Sequence, residues 1–310
     1  MNKIRVGIFG YGNLGKALED LLAKDDRFEL VAIFSRRAIK SKHKTPTEFC
    51  SRLNQYENKI DIMFLCGGSS SDLMPQAQEC LKFFNCIDAF DTHAKIDEHI
   101  FACNQIAINN NKVAFCSLGW DPGLFSLMRV LFNSFGYTTF CTWGKGVSQG
   151  HTEAIKCLSG VVDAVQYTIP NKSIIKKLKQ SKLTTLSNAN DMHIRDCYVC
   201  ANPIYHNQIK QSILTMPNYF EGYKTKVNFV SQSQIEKHKK MYHAGEVFCV
   251  GDEVNFKIKV DSNPHFTARI LIAYAIVLNK FVAKQRFGAY SILDIPPKYL
   301  IENAKGLIWK

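Results

Sequence analysis

The stretch that decides the fold is Ile4-Arg5-Val6-Gly7-Ile8-Phe9-Gly10-Tyr11-Gly12-Asn13-Leu14-Gly15. Its first six residues are a short, mostly apolar run cut off by glycine, which reads as a strand buried on both faces. Beyond the glycines, Leu14, Ala17, Leu18, Leu21 and Leu22 recur at helical spacing. The three glycines therefore occupy a strand-to-helix turn, and that context gives a G-x-G-x-x-G pattern its meaning. Gly10 permits the tight turn, Gly12 lets a pyrophosphate approach the backbone, and Gly15 lets helix and strand pack closely. The helix N-terminus offers unpaired N–H groups to the phosphates. Tyr11, Asn13 and Leu14, lying between the glycines, are expected in the same cofactor contact.

A second strand, Glu29 to Phe34, ends at Ser35, Arg36 and Arg37, about 20 residues past the turn, where a ribose-reading residue is expected. A site for NAD would carry an acid there. A hydroxyl and two guanidiniums suit a 2′-phosphate, which they bind by charge-assisted hydrogen bonds, so the cofactor is expected to be NADP. Three further apolar runs end in small polar loops. Ile60 to Cys66 leads into Gly67, Gly68, Ser69, Ser70, Ser71 and Asp72. Asn85 to Phe90 leads into Asp91, Thr92 and His93, and Lys112 to Cys116 leads into Ser117, Leu118, Gly119, Trp120, Asp121, Pro122 and Gly123. Gly, Ser, Asp and Pro are also what ordinary turns are made of. Their shared place at strand C-termini, where α/β sheets bind ligands, favours a site with Asp91 and Asp121 in it. The expected fold is α/β: a Rossmann-type doubly wound parallel sheet, followed by a second α+β domain with a mixed sheet built from 138–143, 161–169, 197–201, 224–229 and 255–260.

The net charge of +12 in 310 residues raises the possibility of nucleic-acid binding. The lysines lie in short solvated runs such as Lys40, Lys42, Lys44 and Lys172, Lys176, Lys177, Lys179, without a zinc-finger spacing or an aromatic RNA-binding signature. No nucleic-acid partner is expected; a diffuse positive field suits an anionic cofactor. Eleven cysteines, an odd number without framework spacing, point to reduced thiols in a cytoplasm. Cys197 and Cys200 form one C-x-x-C in a strand pattern, where residues three apart face opposite sides, so no metal site is expected there. No secretion-signal pattern opens the chain. The apolar stretch Ile270 to Val282 falls short of the ~20 residues of a membrane span and reads as a buried helix.

Seven blocks in order carry a resemblance over nearly the whole length: GYGNLG at 10–15, FSRR at 34–37, GWDPG at 119–123, SQGH at 148–151, QYTIP at 166–170, TMPNYF at 215–220 and NPHFTA at 263–268. The chain resembles the meso-diaminopimelate dehydrogenases, NADP-dependent enzymes of lysine and cell-wall precursor synthesis. The resemblance implies oxidation at the D-centre of meso-2,6-diaminopimelate, with hydride passing to the nicotinamide and ammonia released, and the reverse amination. Carried over by position, Asp91 and Asp121 hold the reacting ammonium end, assisted by Trp143, Gln149 and Gly150. Thr168, Arg195 and His243 grip the distal L-carboxylate, and Asn263 completes the pocket and reaches the cofactor. Taken without the resemblance, Arg195 reads as a surface arginine, His243 as a loop histidine and Trp143 as core.

The family also implies a homodimer. Domains are expected at 1–120 for the nucleotide, 121–262 for substrate and dimer contact, and 263–310 for a helix returning to the nucleotide domain, with closure of the cleft excluding water. Thr92 stands where the family pattern has Asn, Ala244 where it has Gly, and the segment between Gly251 and Val260 is short. Two other functions fit the same nucleotide-binding pattern: a reductase or sugar dehydrogenase of the same fold, without selectivity for the D-centre, and a non-catalytic NADP-binding regulator, which leaves the pairing of Asp91 and Asp121 unexplained.

Overall fold

The IRVGIF run forms β1 (Ile4–Phe9), whose last four residues are buried. The structure is a computed structural model that describes residues 3–69, 71–238, 242–301 and 305–307; Ser70, expected to bind cofactor from the loop after Cys66, lies outside them. Following β1 come α1 (Asn13–Leu22), β2 (Phe28–Ser35), β3 (Thr47–Phe49), β4 (Ile62–Leu65), α2 (Leu73–Cys80), β5 (Asn85–Asp88), α3 (Ile96–Asn109), β6 (Val113–Phe115) and α4 (Leu124–Ser134). The six strands pair in parallel in the order β3-β2-β1-β4-β5-β6. Their register is held by continuous burial: all four residues of β4 and all three of β6 are buried, which is how strands covered on both faces read in sequence. The short edge strand β3 had no sequence signal, because only one of its three residues is apolar and none is buried.

The chain divides into two compact units, Met1–Leu127 with Pro264–Lys310, and Met128–Asn263. In the second unit the elements run β7 (Thr139–Trp143), β8 (Gly146–Val147), α5 (Gln149–Lys156), β9 (Val161–Pro170), α6 (Lys172–Lys179), β10 (His193–Ala201), α7 (His206–Leu214), β11 (Lys224–Phe229), α8 (Gln232–Glu236), β12 (His243–Cys249) and β13 (Asn255–Val260). They form two sheets where the sequence suggested one. The first is a mixed sheet in the order β11-β10-β9-β8 and the second an antiparallel sheet β13-β12-β7. His243, read as a loop histidine from its neighbours, instead opens β12 and is buried. The strict alternation of β10 sends His193, Arg195, Cys197 and Val199 to one face. Cys197 joins a core with Ile209 and Phe220, while Cys200 packs against Val147, Val165 and Tyr167, so the C-x-x-C pair is split between two cores.

The chain then returns to the first unit through α9 (Asn263–Ala283) and β14 (Gly288–Tyr290), which pairs in parallel with β6 and completes a seven-stranded sheet. By length and composition α9 is apolar enough to cross a membrane. Half of its most apolar window is buried within the protein, and Phe281 packs edge-on against Phe115 of β6 at 5.2 Å. It is used as a core helix.

Candidate active site

In the first unit the glycine turn is shaped by what a side chain would meet. A Cβ on Gly15 would run into the Gly10 carbonyl oxygen, so helix and strand could not close; Gly10 itself sits at φ +104°, beside the Cys66 carbonyl. Gly12 is different, because a Cβ there meets nothing within 4 Å. The space is open on the side where a pyrophosphate would lie, and no side chain caps α1. Asn13 at the first turn is exposed, with Tyr11 and Leu14 half-buried beside it. These residues fit a dinucleotide.

Ser35 closes β2 and is buried, its Oγ accepting from the Arg37 N–H at 3.3 Å. Arg36 is 72% exposed and donates to Asp72 at 2.8 Å, which fixes the guanidinium without burying it. Arg37 is exposed beside it. The loop from Cys66 through Gly67 to Ser69 turns back into α2, with the Asp72 N–H bonded to the Gly68 carbonyl at 2.9 Å. Ser69 then ties this loop to the next: its Oγ accepts from the Asp91 N–H at 3.2 Å and its carbonyl from the Thr92 hydroxyl at 3.3 Å. His93 follows, exposed.

The loop carrying Asp121 is braced from below. Buried Asp88, at the end of β5, accepts from the Phe90 N–H at 2.9 Å and the Ser117 N–H at 2.8 Å, and its carbonyl accepts from the Leu118 N–H at 2.9 Å. One carboxylate thus fixes the approach to both Asp91 and Asp121. The turn itself is closed by the Gly119 N–H on the Pro122 carbonyl at 2.9 Å; Gly123 sits at φ +130°, and the indole of Trp120 packs edge-on against Phe125.

Asp88 also holds His99 Nε2 at 2.8 Å, both side chains being buried. Burial opposes the imidazolium, but the hydrogen bond and charge of Asp88 outweigh it and push His99 up to about 10. Beyond His99 lie the thiols of Cys103 and Cys116, all three donors within 4.8 Å of one another. With Nε2 engaged by Asp88, the trio reads as the lining of a buried ion pair. Neither Asp88 nor His99 was legible as a support residue, since their partners lie on other elements.

In the second unit the sheet register builds the substrate candidates. Gly146, Thr168, Arg195 and Thr225 fall in one row across β8, β9, β10 and β11. The surface reading of Arg195 is overturned: it is 6% exposed. Its Nη1 donates to the Thr168 hydroxyl at 2.6 Å, its guanidinium lies 4.1 Å from the centre of the Tyr223 ring, and its buried Nε has no hydrogen-bond partner among the described residues. Burial pulls this guanidinium below its usual value.

The same charge acts on two histidines. His193, first residue of β10, accepts the Trp143 N–H on Nε2 at 2.9 Å, with its ring 4.8 Å from the indole. Burial and then Arg195 push it down to about 3. His151 in α5 is bonded through Nδ1 to Ser148 at 2.7 Å and is likewise pushed down to about 3 by burial and Arg195. Both rings are held neutral, so neither competes with Arg195 for an anion. His243 packs over Gly146, where a Cβ would meet its ring at 2.6 Å, and its Nδ1 donates to the Ala244 carbonyl at 2.9 Å. Trp143 is half-buried rather than core; Gln149 and Gly150 open α5, and Asn263 opens α9. The sequence missed His193, His151 and Tyr223. The expected strand 197–201 stops short of His193; the observed strand begins at His193, and its alternation puts that residue on the face of Arg195.

Known proteins of similar sequence and fold come from one family. Residues 119–262 match the family model described as the diaminopimelic acid dehydrogenase C-terminal domain. The chain is 39% identical over 310 residues to the meso-diaminopimelate D-dehydrogenase of Lysinibacillus sphaericus, covering 96% of this chain and 95% of that one. It is 37% identical over 321 residues to that of Corynebacterium glutamicum, covering 99% of each. Among solved structures, the C. glutamicum diaminopimelate dehydrogenase in complex with diaminopimelate superposes with a TM-score of 0.94 at 37% identity, over 99% of each chain. An engineered D-amino acid dehydrogenase bound to NADP+ superposes with a TM-score of 0.92 at 35% identity, again over 99% of each. At 37 and 39% identity over nearly the full length of each chain, these matches show that the chain belongs to the meso-diaminopimelate dehydrogenase family.

Proposed function

We infer that this protein is an NADP-dependent dehydrogenase that oxidatively deaminates the D-centre of meso-2,6-diaminopimelate to L-2-amino-6-oxopimelate and ammonia, and catalyses the reverse amination in lysine and peptidoglycan precursor synthesis. The observation that carries the reading is Arg195, a buried guanidinium satisfied on one side by a hydroxyl and an aromatic face and flanked by two neutral histidines. A cation left this way in the interior is costly until an anion joins it, and a carboxylate matches its donor fork. Related enzymes of this name act on a substrate with such a carboxylate at each end.

In the roles we assign, Gly10 to Leu14 and the first turn of α1 hold the pyrophosphate, Ser35, Arg36 and Arg37 the 2′-phosphate, and Cys66, Gly67, Ser69, Ser70, Asp72, Thr92, His93, Asn263 and 119–123 the remainder. NADP, when bound, supplies the hydride acceptor. Asp91 and Asp121 offset the reacting ammonium; one carboxylate takes a proton from it, the α-hydrogen leaves as hydride to give an imine, and water hydrolyses the imine to the oxo acid and ammonia. Trp143, Gln149 and Gly150 orient that end, while Thr168, Arg195 and His243 anchor the L-carboxylate, so that the D-hydrogen is the one presented. We also propose a homodimer in the cytoplasm, on the family's implied assembly and on eleven cysteines that form no disulfide; sedimentation velocity checks the former.

The test is NADPH formation at alkaline pH with meso-diaminopimelate, its L,L isomer and simple D-amino acids. Turnover is expected with the meso isomer and absent with L,L; turnover of none of them would sink the enzyme reading. The variant Arg36→Ala/Arg37→Ala is expected to weaken NADP far more than NAD, and equal losses would refute the phosphate role.

A further inference from the structure

The loop that follows Arg36 and Arg37 carries an unusual charge. Arg36, Arg37, Lys40, Lys42 and Lys44 fall within nine residues that contain no acid. Such a run repels itself and has no apolar residues to dock it beyond Ala38 and Ile39, so its ordered path needs an anchor. The loop rejoins the sheet where the Ile33 N–H bonds to the Pro46 carbonyl at 2.9 Å. Between those ends it is held by α1, the helix of the glycine turn.

The anchor is Glu19, whose side chain is wholly buried. Its Oε1 accepts from the Ser41 hydroxyl at 2.5 Å, the His43 N–H at 3.0 Å and the Thr45 hydroxyl at 3.2 Å. Its Oε2 accepts from the Lys42 N–H at 3.2 Å and from the Tyr11 hydroxyl, and the latter hydroxyl also lies 3.1 Å from the Lys42 N–H. Burial would raise this carboxyl, but the bonds from Ser41, Tyr11, His43 and Lys42 hold it below the usual carboxylate range. The next residue, Asp20, pairs from the same helix with Lys42 at 2.8 Å and His43 at 2.7 Å. A single buried carboxylate thus joins the glycine turn, through Tyr11, to the middle of the basic loop.

We propose that Glu19 is a positioning residue that sets the cofactor preference: it fixes the 36–45 loop so that Arg36 and Arg37 are presented to a 2′-phosphate. The proposal rests on the NADP reading above and adds a residue that does not itself touch the cofactor. Its sign is diagnostic. If Glu19 were an electrostatic bystander, removing a negative charge near the phosphate would tighten NADP binding. If it positions the loop, removing it weakens NADP, because Arg36 is then held by Asp72 alone and the loop that continues from Arg37 must be ordered on binding.

The experiment compares KM for NADP, KM for NAD and kcat in the wild type, in Glu19→Gln, and in Ser41→Ala/Thr45→Val, which removes loop-side donors while leaving α1 intact. Gln keeps one oxygen but turns the other acceptor into a donor, so at least one face of the cluster is lost. KM for NADP is expected to rise about tenfold, matching one or two net hydrogen bonds, with KM for NAD and kcat within about twofold. An unchanged or lower KM for NADP, or equal losses with both cofactors, overturns the proposal. If Glu19→Gln does not fold, the loop-side variant gives the same readout. Arg36→Ala/Arg37→Ala run in parallel separates the two claims: if that variant shifts the NADP-to-NAD ratio and the Glu19 and loop-side variants do not, the Glu19 proposal alone fails.

Discussion

Replacing Arg195 with Met should make the protein a worse enzyme and a more stable one. The side chain is 6% exposed, one N–H reaches Thr168 at 2.6 Å, the cation lies 4.1 Å from the Tyr223 ring, and Nε is unpaired. Without substrate, the guanidinium has therefore given up most of its hydration for the Thr168 hydroxyl and the side chain of Tyr223, with no carboxylate to balance its charge among the partners that act on it. Replacing poorly compensated buried charge by an apolar side chain of similar length commonly stabilises by about 1 to 4 kcal/mol. At roughly 2 to 4 °C per kcal/mol in a chain of this size, the ligand-free melting temperature should rise by several degrees. With substrate present the balance reverses. Removing one partner of a buried charge pair costs about 2 to 5 kcal/mol, which lowers kcat/KM for meso-diaminopimelate by about 30-fold to 5,000-fold. Simple D-amino acids lack a distal carboxylate, so their kcat/KM should change by no more than a few-fold. Differential scanning calorimetry without ligand and initial-rate assays with both substrates decide the matter. A fall in melting temperature, or equal losses with both substrates, would show that Arg195 is a structural cation and not an anion anchor.

Two further outcomes follow from the same geometry. Gly12→Ala adds a Cβ with no neighbour within 4 Å, so its melting temperature should stay within about a degree while NADP affinity, read by fluorescence titration, falls at least tenfold; a large loss of stability would mean that the space serves packing instead. His151 and His193 titrate at about 3 in the folded chain against about 6.5 when unfolded. The unfolded state binds more protons between those values, so stability is complete above pH 6.5 and is lost as pH falls, by up to about 1.4 kcal/mol per pH unit for each ring. Urea midpoints measured from pH 7 to pH 4 should fall accordingly, with a shallower slope in His193→Gln, and a flat profile would contradict the buried, neutral rings.

The sequence by itself determined the nucleotide half, because its signals are local. The turn from β1 into α1 is written in Gly10, Gly12 and Gly15 at fixed spacing, and the expectation of NADP in Arg36 and Arg37 at the end of the next strand. The apolar runs of β4, β5 and β6 were legible because strands buried on both faces need no partner to be read. Resemblance, not chemistry, singled out Arg195 and His243, since an isolated arginine or histidine says nothing of its burial. Only the tertiary structure decided that β10 turns Arg195 inward beside His193, that two sheets stand where one was expected, and that β12 begins at His243. Only it could show Glu19 gathering donors from residues 11 to 45, or Asp88 bracing two loops at once. The physical reason is the same in each case. A turn or a strand is specified by neighbours along the chain, whereas the state of a buried charge depends on groups that only folding brings within hydrogen-bonding distance.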